Sequence, residues 1–248
     1  MESTRDAFLD GRLTIAQPLR GFRAGLDSVL LGAAAGRAEG ALLDLGAGSG
    51  VAALVALTYH PGLAATLVEA DAQMAALAAE NAQANGLAER VRVAGVDVTA
   101  SGRARSAAGL KAEAFASVIA NPPFFAAERG TRASSRGAQA RQMSAAALDL
   151  WVKTAAAHAA PGGETIFIHV AEALAELLTS MTGRFGAITV LPLTPREGEP
   201  AHRILVRGIK GSRAPLTLLG SRALHLSDGR HFRAEFEAIL RGRERLHW

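Results

Sequence analysis

From residue 41 onward the chain alternates between short β-branched or apolar runs and longer helical stretches, and few folds can accommodate that order. ALLDLG (41–46), ATLVEA (65–70), RVRVAGVD (90–97), FASVIAN (115–121) and ETIFIHV (164–170) read as strands. Between them, 51–60, 72–86 and 145–163 read as helices, the second ended by Gly86 and the third by Pro161-Gly162-Gly163, and 171–183 reads as a fourth. Strands separated by helices must run parallel, with helices covering both faces of the sheet. The runs 187–193 and 202–209 follow each other with only a Pro/Glu/Gly loop between them, which suggests one antiparallel strand at the end. Ahead of the alternation, 8–18 reads as a hairpin around Asp10-Gly11 and 25–36 as a helix stopped by Gly36. The expected organisation is a hairpin-and-helix extension over 1–36 and one α/β domain over 37–248.

Composition narrows the class. With 49% hydrophobic and 20% charged residues, the 248-residue chain is expected to be globular and soluble. It has no cysteine, so disulfides and thiolate metal sites are excluded, and the seven histidines show no metal-ligand spacing. No metal is expected. Neither a signal core nor a membrane span is legible, which makes the cytoplasm the expected compartment. Charge is uneven: residues 1–183 carry 15 Lys and Arg against 17 Asp and Glu, whereas 184–248 carry 12 against 6. The stretch 129–141 adds four arginines and no acid. Such local excess suits a polyanion, and equally suits an ordinary solvated surface; charge alone leaves both open.

Open parallel sheets bind ligands beyond the C-terminal ends of their strands, so the chemistry should follow the apolar runs. After the first comes Asp44-Leu45-Gly46-Ala47-Gly48-Ser49-Gly50. Its glycines permit a tight turn and bring backbone amides to a helix N-terminus. A nicotinamide fingerprint would require glycine at position 51, where Val51 stands. The Asp-x-Gly-x-Gly-x-Gly form instead resembles the S-adenosylmethionine loop of Rossmann-like methyltransferases. A sulfonium zwitterion has no pyrophosphate to cradle, and acids around the loop make electrostatic sense. Glu69, with Ala70 beside it, ends the second strand, where a carboxylate can accept from both ribose hydroxyls. Asp97 ends the third, placed for an adenine amino group, with Val98 for packing the ring. Asp71 is expected to cap the helix that starts at Ala72.

The fourth strand runs into Asn121-Pro122-Pro123-Phe124. Proline fixes its own φ and holds the preceding residue extended, so the Asn121 side chain and the Pro122 carbonyl are set in place. Two fixed acceptors facing one point suit an –NH₂ group with two hydrogens to give, and Phe124 can stack on the planar group that carries it. An adenine amino nitrogen is a poor nucleophile because its lone pair is delocalised; hydrogen bonds to both protons favour a pyramidal nitrogen with the lone pair directed at a methyl donor. Orientation, desolvation and charge stabilisation then suffice without prior deprotonation.

These motifs together resemble the class I S-adenosylmethionine-dependent amino-methyltransferases with an Asn-Pro-Pro-aromatic motif. More narrowly, the chain is similar to the bacterial family that methylates N6 of adenine 37 in valine tRNA. The likeness covers nearly the whole chain, through 23–35, NPPFF (121–125), 140–144, 201–206 and 224–240. It implies a seven-stranded sheet with an antiparallel last strand, S-adenosylmethionine as cofactor and RNA, most readily tRNA, as substrate. It also implies that 23–35 helps close over the methionine end of the cofactor. Phe124 replaces a frequent tyrosine of that family, keeping the ring and losing its hydroxyl. In that picture Asp44, Gly46, Ala47, Gly48, Gly50, Glu69, Ala70, Asp97, Val98 and Asn121 hold the cofactor, and Asn121, Pro122, Pro123 and Phe124 form the catalytic set. Phe124, Phe125, Arg129, Arg132, Arg136, Arg141 and Arg203 face RNA, with phosphates held near a flipped-out base. The tail RGRERLHW is a weaker extension of that footprint. Two other readings share the motifs: a methyltransferase acting on the side-chain amide of a protein glutamine, and a non-catalytic RNA-binding protein that keeps the cofactor as a structural ligand.

Overall fold

The computed structural model describes residues 2–21, 23–123, 135–227, 229 and 231–248, with the backbone alone over 135–145. Its strands are β1 (Ser3–Phe8), β2 (Leu13–Pro18), β3 (Glu39–Leu45), β4 (Gly62–Glu69), β5 (Val91–Gly95), β6 (Phe115–Ala120), β7 (Ala159–Val170), β8 (Phe185–Thr194), β9 (Arg203–Lys210), β10 (Thr217–Leu218) and β11 (Arg222–Ala223). Its α-helices are α1 (Leu26–Ala34), α2 (Val51–Tyr59), α3 (Ala72–Ala84), α4 (Gly102–Ala107), α5 (Ser135–His158), α6 (Leu174–Met181) and α7 (Ala234–Leu240). Among the described residues no helix is long and apolar enough to cross a membrane.

β1 and β2 form a separate antiparallel hairpin, and the other strands form one sheet in the order β10-β8-β9-β7-β6-β3-β4-β5, with β11 also on β8. β3 through β9 supply the seven long strands that were expected. β9 is the last of them in sequence and is antiparallel to both neighbours, β7 and β8. The sheet nevertheless has nine strands, because two-residue β10 and β11 pair parallel with β8.

Side chains of β3 alternate across the sheet, as a strand buried on both faces must. Leu42 enters one core with α1, α2, α3, α7 and the hairpin residues Leu13 and Ile15. Leu43 and Leu45 enter a second core with α5 and α6 through Leu148, Val152, Leu177 and Met181. The result is a three-layer sandwich.

The structure departs from the sequence reading at three further places. Helix α5 ends at His158, and Pro161-Gly162-Gly163 lies inside β7. Phe115 pairs with Ala159 and Ser117 with Glu164, so the extra β7 residues form a bulge. A Cβ on Gly163 would fall 2.9 Å from the Phe115 carbonyl oxygen. The turn-forming triplet therefore kinks a strand where it was expected to stop a helix. Second, α5 begins ten residues before the expected 145. Third, the basic tail folds back onto α1: Leu246 N donates to Ala33 O, Trp248 Nε1 donates to Ala34 O (3.0 Å each), and the Arg207 guanidinium lies 4.6 Å over the Trp248 ring. Those carbonyls lead into the start of β3, so the tail sits at the end of the sheet opposite Gly46.

Candidate active site

The C-terminal ends of β3, β4, β5 and β6 converge on one edge of the sheet. Leu45 pairs with Ala120 in the β3–β6 register, so the next residues, Gly46 and Asn121, leave adjacent strands side by side. The two motifs, 75 positions apart in sequence, thus stand at neighbouring strand ends.

The turn 46–50 needs its glycines. Gly46, Gly48 and Gly50 have φ of 67°, 56° and 88°, in the left-handed region that disfavours a Cβ. Space adds a second requirement at Gly46, where a Cβ would come within 2.4 Å of the Trp151 ring on α5. Hydrogen bonds pin the turn from several directions. Ala47 N donates to Val68 O (2.9 Å), Gly50 N to Ala47 O (2.8 Å) and Gly48 N to Glu69 Oε2 (2.8 Å). Ser49 O accepts from Asn81 Nδ2 at 2.9 Å.

The acids differ in station. Asp44 is buried beneath the turn, 2% exposed, and its Oδ2 accepts from Ala53 N at 3.2 Å in the first turn of α2. Burial pushes its carboxyl up to about 7; the Ala53 amide opposes that rise and the Glu69 charge adds to it. Glu69 is partly exposed and accepts from Gly48 N on one oxygen and Asp71 N (2.9 Å) on the other. Each carboxylate oxygen has a second lone pair for a further donor. Ala70 is exposed beside it. Asp97 lies two residues past the end of β5, exposed, and its Oδ1 accepts from Thr99 N (2.6 Å) and Oγ1 (2.7 Å). Val98 is buried in the second core, where its carbonyl accepts from Thr154 Oγ1 of α5 at 2.8 Å. Asp71 caps α3 through bonds from Gln73 N and Met74 N.

Asn121 is half-buried, Pro122 buried and Pro123 exposed. Phe124, Phe125, Arg129 and Arg132 lie outside the described residues. Arg136 and Arg141 fall on the α5 backbone, with their side chains likewise outside the description. Arg203 opens β9, and its Nε donates to Asp27 Oδ2 of α1 at 2.9 Å. The pair stands at the same end of the sheet as the glycine turn, since β9 runs opposite to β7 and Arg203 pairs with Val170 at the β7 C-terminus.

Sequence reasoning passed over two residues here. Trp151 sets the size limit at Gly46, and Asn81 is 1% exposed against the turn. Trp151 carried a signal, a large ring on an otherwise alanine-rich helix; Asn81 did not stand out, since α3 also holds Gln73 and Gln83.

A glycine turn between β3 and α2, acids at the next strand ends and an Asn-Pro-Pro exit from β6 on a seven-strand core with β9 reversed define a class I methyltransferase architecture. The chain belongs to the methyltransferase small domain family, whose pattern matches residues 27–195. It is 26% identical over 225 residues to the tRNA1(Val) (adenine(37)-N6)-methyltransferase of Dickeya chrysanthemi, covering 88% of this chain and 86% of that one. With the protein of that name from a Flavobacteriaceae bacterium it shares 31% identity over 132 residues, 53% of this chain and about half (52%) of the relative. A crystal structure described as a predicted O-methyltransferase from Agrobacterium tumefaciens superposes with a TM-score of 0.76 at 29% identity, over 89% of this chain and 98% of that one.

Proposed function

We propose that this chain transfers a methyl group from S-adenosylmethionine to the exocyclic N6 amine of an adenine in tRNA. The observation that carries the reading is the β3–β6 register, which brings Gly46 and Asn121 out side by side. A methyl donor on the glycine turn and an amine on Asn121 are then neighbours. The residues suit the cofactor by their chemistry: Glu69 and Asp97 offer carboxylate lone pairs to hydroxyl and amino hydrogens, and acids suit a sulfonium cation.

S-adenosylmethionine bound there would supply an electrophilic methyl group, leaving as the thioether once the amine nitrogen had taken that carbon. The residues of the chain do the rest. Asn121 Oδ1 and the Pro122 carbonyl accept hydrogen bonds from the two amine hydrogens and hold the nitrogen lone pair on line. The same acceptors stabilise the positive charge that grows on nitrogen. Phe124 stacks on the purine, and the new ammonium loses its proton to water. Asp44, buried below, acts through the turn by holding the α2 N-terminus to β3.

RNA is favoured over a glutamine side chain by the names of the curated relatives and by the positive balance of residues 184–248. Arg129, Arg132, Arg136, Arg141 and Arg203 are the proposed phosphate contacts, and a tRNA substrate puts the reaction in the cytoplasm. An oxygen acceptor, as in the description of the Agrobacterium protein, offers at most one hydrogen and would leave one of the two carbonyl acceptors unmatched. The test is incubation with methyl-labelled cofactor and bulk tRNA. Wild-type protein labels the tRNA, and Asn121→Ala loses at least ~100-fold of the rate, the scale for removing one transition-state hydrogen bond. Equal labelling by both proteins overturns the assignment of Asn121.

A further inference from the structure

Asn81 of α3 and Asn85, the residue that caps its C-terminus, lie one helical turn apart and face the free edge of β2. Each amide pairs with a strand residue as a neighbouring strand would. Asn85 Oδ1 accepts from Thr14 N and its Nδ2 donates to Thr14 O, both at 2.9 Å. Asn81 Oδ1 accepts from Ala16 N at 2.7 Å and its Nδ2 donates to Ala16 O at 2.9 Å. Alternate residues of β2 point their backbone groups to the same side, so this i, i+4 pair on the helix matches an i, i+2 pair on the strand.

The two asparagines differ in one bond. The second Nδ2 hydrogen of Asn85 goes to the carbonyl of Asn81 in its own helix, at 2.7 Å. The second Nδ2 hydrogen of Asn81 goes to Ser49 O in the glycine turn, at 2.9 Å. All three hydrogen-bonding groups of the Asn81 amide are counted out by these bonds, two donated and one accepted, in a site closed to water. Holding Ser49 O fixes the plane of the 49–50 peptide, and with it the Gly50 N–H that closes the turn on Ala47 O. Asn81 thereby joins the turn to Ala16, and the next residue continues the connection. Gln17 Oε1 accepts from Ala24 N (2.7 Å) and its Nε2 donates to Ala24 O (3.2 Å), which anchors the segment 18–25 where it enters α1. Arg23 closes the same segment back on Pro18 O at 2.8 Å.

We propose that Asn81 is a positioning residue for cofactor binding: it holds the glycine turn in its ligand-ready shape and ties that shape to the 16–25 segment through Ala16 and Gln17. The inference rests on the glycine turn being the S-adenosylmethionine site. Asn85 supplies the internal control, because it makes the same hairpin contact and leaves the turn alone.

The experiment compares wild type, Asn81→Ser, Asn81→Asp and Asn85→Ser. Three readouts are taken: thermal midpoint, S-adenosylmethionine affinity by calorimetry, and amide exchange of Gly48 and Gly50 in the ligand-free protein. Serine is too short to reach Ser49 O, and aspartate keeps the size while losing both donors. Asn81→Ser and Asn81→Asp should weaken the cofactor about tenfold, the factor expected for one buried hydrogen bond, and speed exchange in the turn. KM for the cofactor should rise with kcat at saturation held within about twofold, because the bond shapes the binding turn and leaves the amine acceptors untouched. Asn85→Ser should lower the midpoint and leave both affinity and turn exchange at the wild-type values. Equal effects of the two serine variants on affinity would overturn the proposal, and so would wild-type exchange and affinity in a folded Asn81→Ser. Failure of the wild-type protein itself to bind S-adenosylmethionine would instead overturn the cofactor reading; the exchange measurement, made without ligand, still tests the asparagine.

Discussion

Gly46→Ala puts the packing of the glycine turn to a quantitative test. The added Cβ meets two separate penalties. Backbone φ of 67° lies where an L side chain costs about 1–2 kcal/mol. The Cβ would also stand 2.4 Å from the Trp151 ring, well inside contact distance, and overpacking of this sort costs about 1–3 kcal/mol. Their sum is a destabilisation of about 2–5 kcal/mol, readable as a drop in the urea midpoint. A second variant separates the two parts. Trp151→Leu removes the ring, so in that background alanine at 46 should cost only the backbone part, about 1–2 kcal/mol. A double-mutant cycle should therefore give a coupling of about 1–3 kcal/mol between positions 46 and 151. A cost for Gly46→Ala that is the same in both backgrounds, within about 0.5 kcal/mol, would refute the claim that Trp151 sets the size limit at the turn.

Two other perturbations follow from the same geometry. The Asp44 carboxyl holds its proton up to about 7 in the folded state and near 3.8 otherwise, so folding takes up a proton between those values and stability declines as pH rises through that window. The scale is on the order of 4 kcal/mol; Asp44→Asn should remove this slope, so that the variant gains on wild type between pH 4 and pH 8, and parallel stability–pH curves would contradict the assignment. Deleting Trp248 removes the bond to Ala34 O and the stack under Arg207, and should cost about 1–2 kcal/mol in denaturant unfolding while tRNA affinity stays at the wild-type value, since the tail lies at the far end of the sheet; a loss of affinity without loss of stability would restore the tail to the RNA footprint.

Much of the architecture was legible because burial on two faces leaves a strong mark. β3, β4 and β6 are largely apolar runs that lead into Gly46, Glu69 and Asn121 respectively, and each falls within three residues of its expected position. The glycine turn, the Asp71 cap and the reversed β9 were equally open to reading, since each depends on local backbone or connectivity rules. What escaped depends on tertiary partners. Pro161-Gly162-Gly163 has the chemistry of a stop, yet the β6 backbone pairs on both sides of it and turns it into a bulge. The placement of Asp44 beneath the turn follows from strand alternation, which puts it on the same side as Leu42 and α2, a point that motif spacing does not reveal. Asn81 and Asn85 look like filler in a helix of alanines until a hairpin from 65 residues earlier in the sequence is laid against them. The tail RGRERLHW reads as a free basic end, and its fold-back depends on tertiary partners: Leu246 is buried in the first core, and the Ala33 and Ala34 carbonyls at the close of α1 accept from Leu246 N and Trp248 Nε1.

The most direct measurement is nucleoside analysis of tRNA incubated with the protein and methyl-labelled S-adenosylmethionine. Label recovered as N6-methyladenosine, absent when Asn121→Ala replaces wild type, is the result predicted by the roles proposed for the glycine turn and Asn121 on adjacent strand ends. Label recovered on a ribose oxygen, on a protein glutamine, or nowhere at all would contradict it.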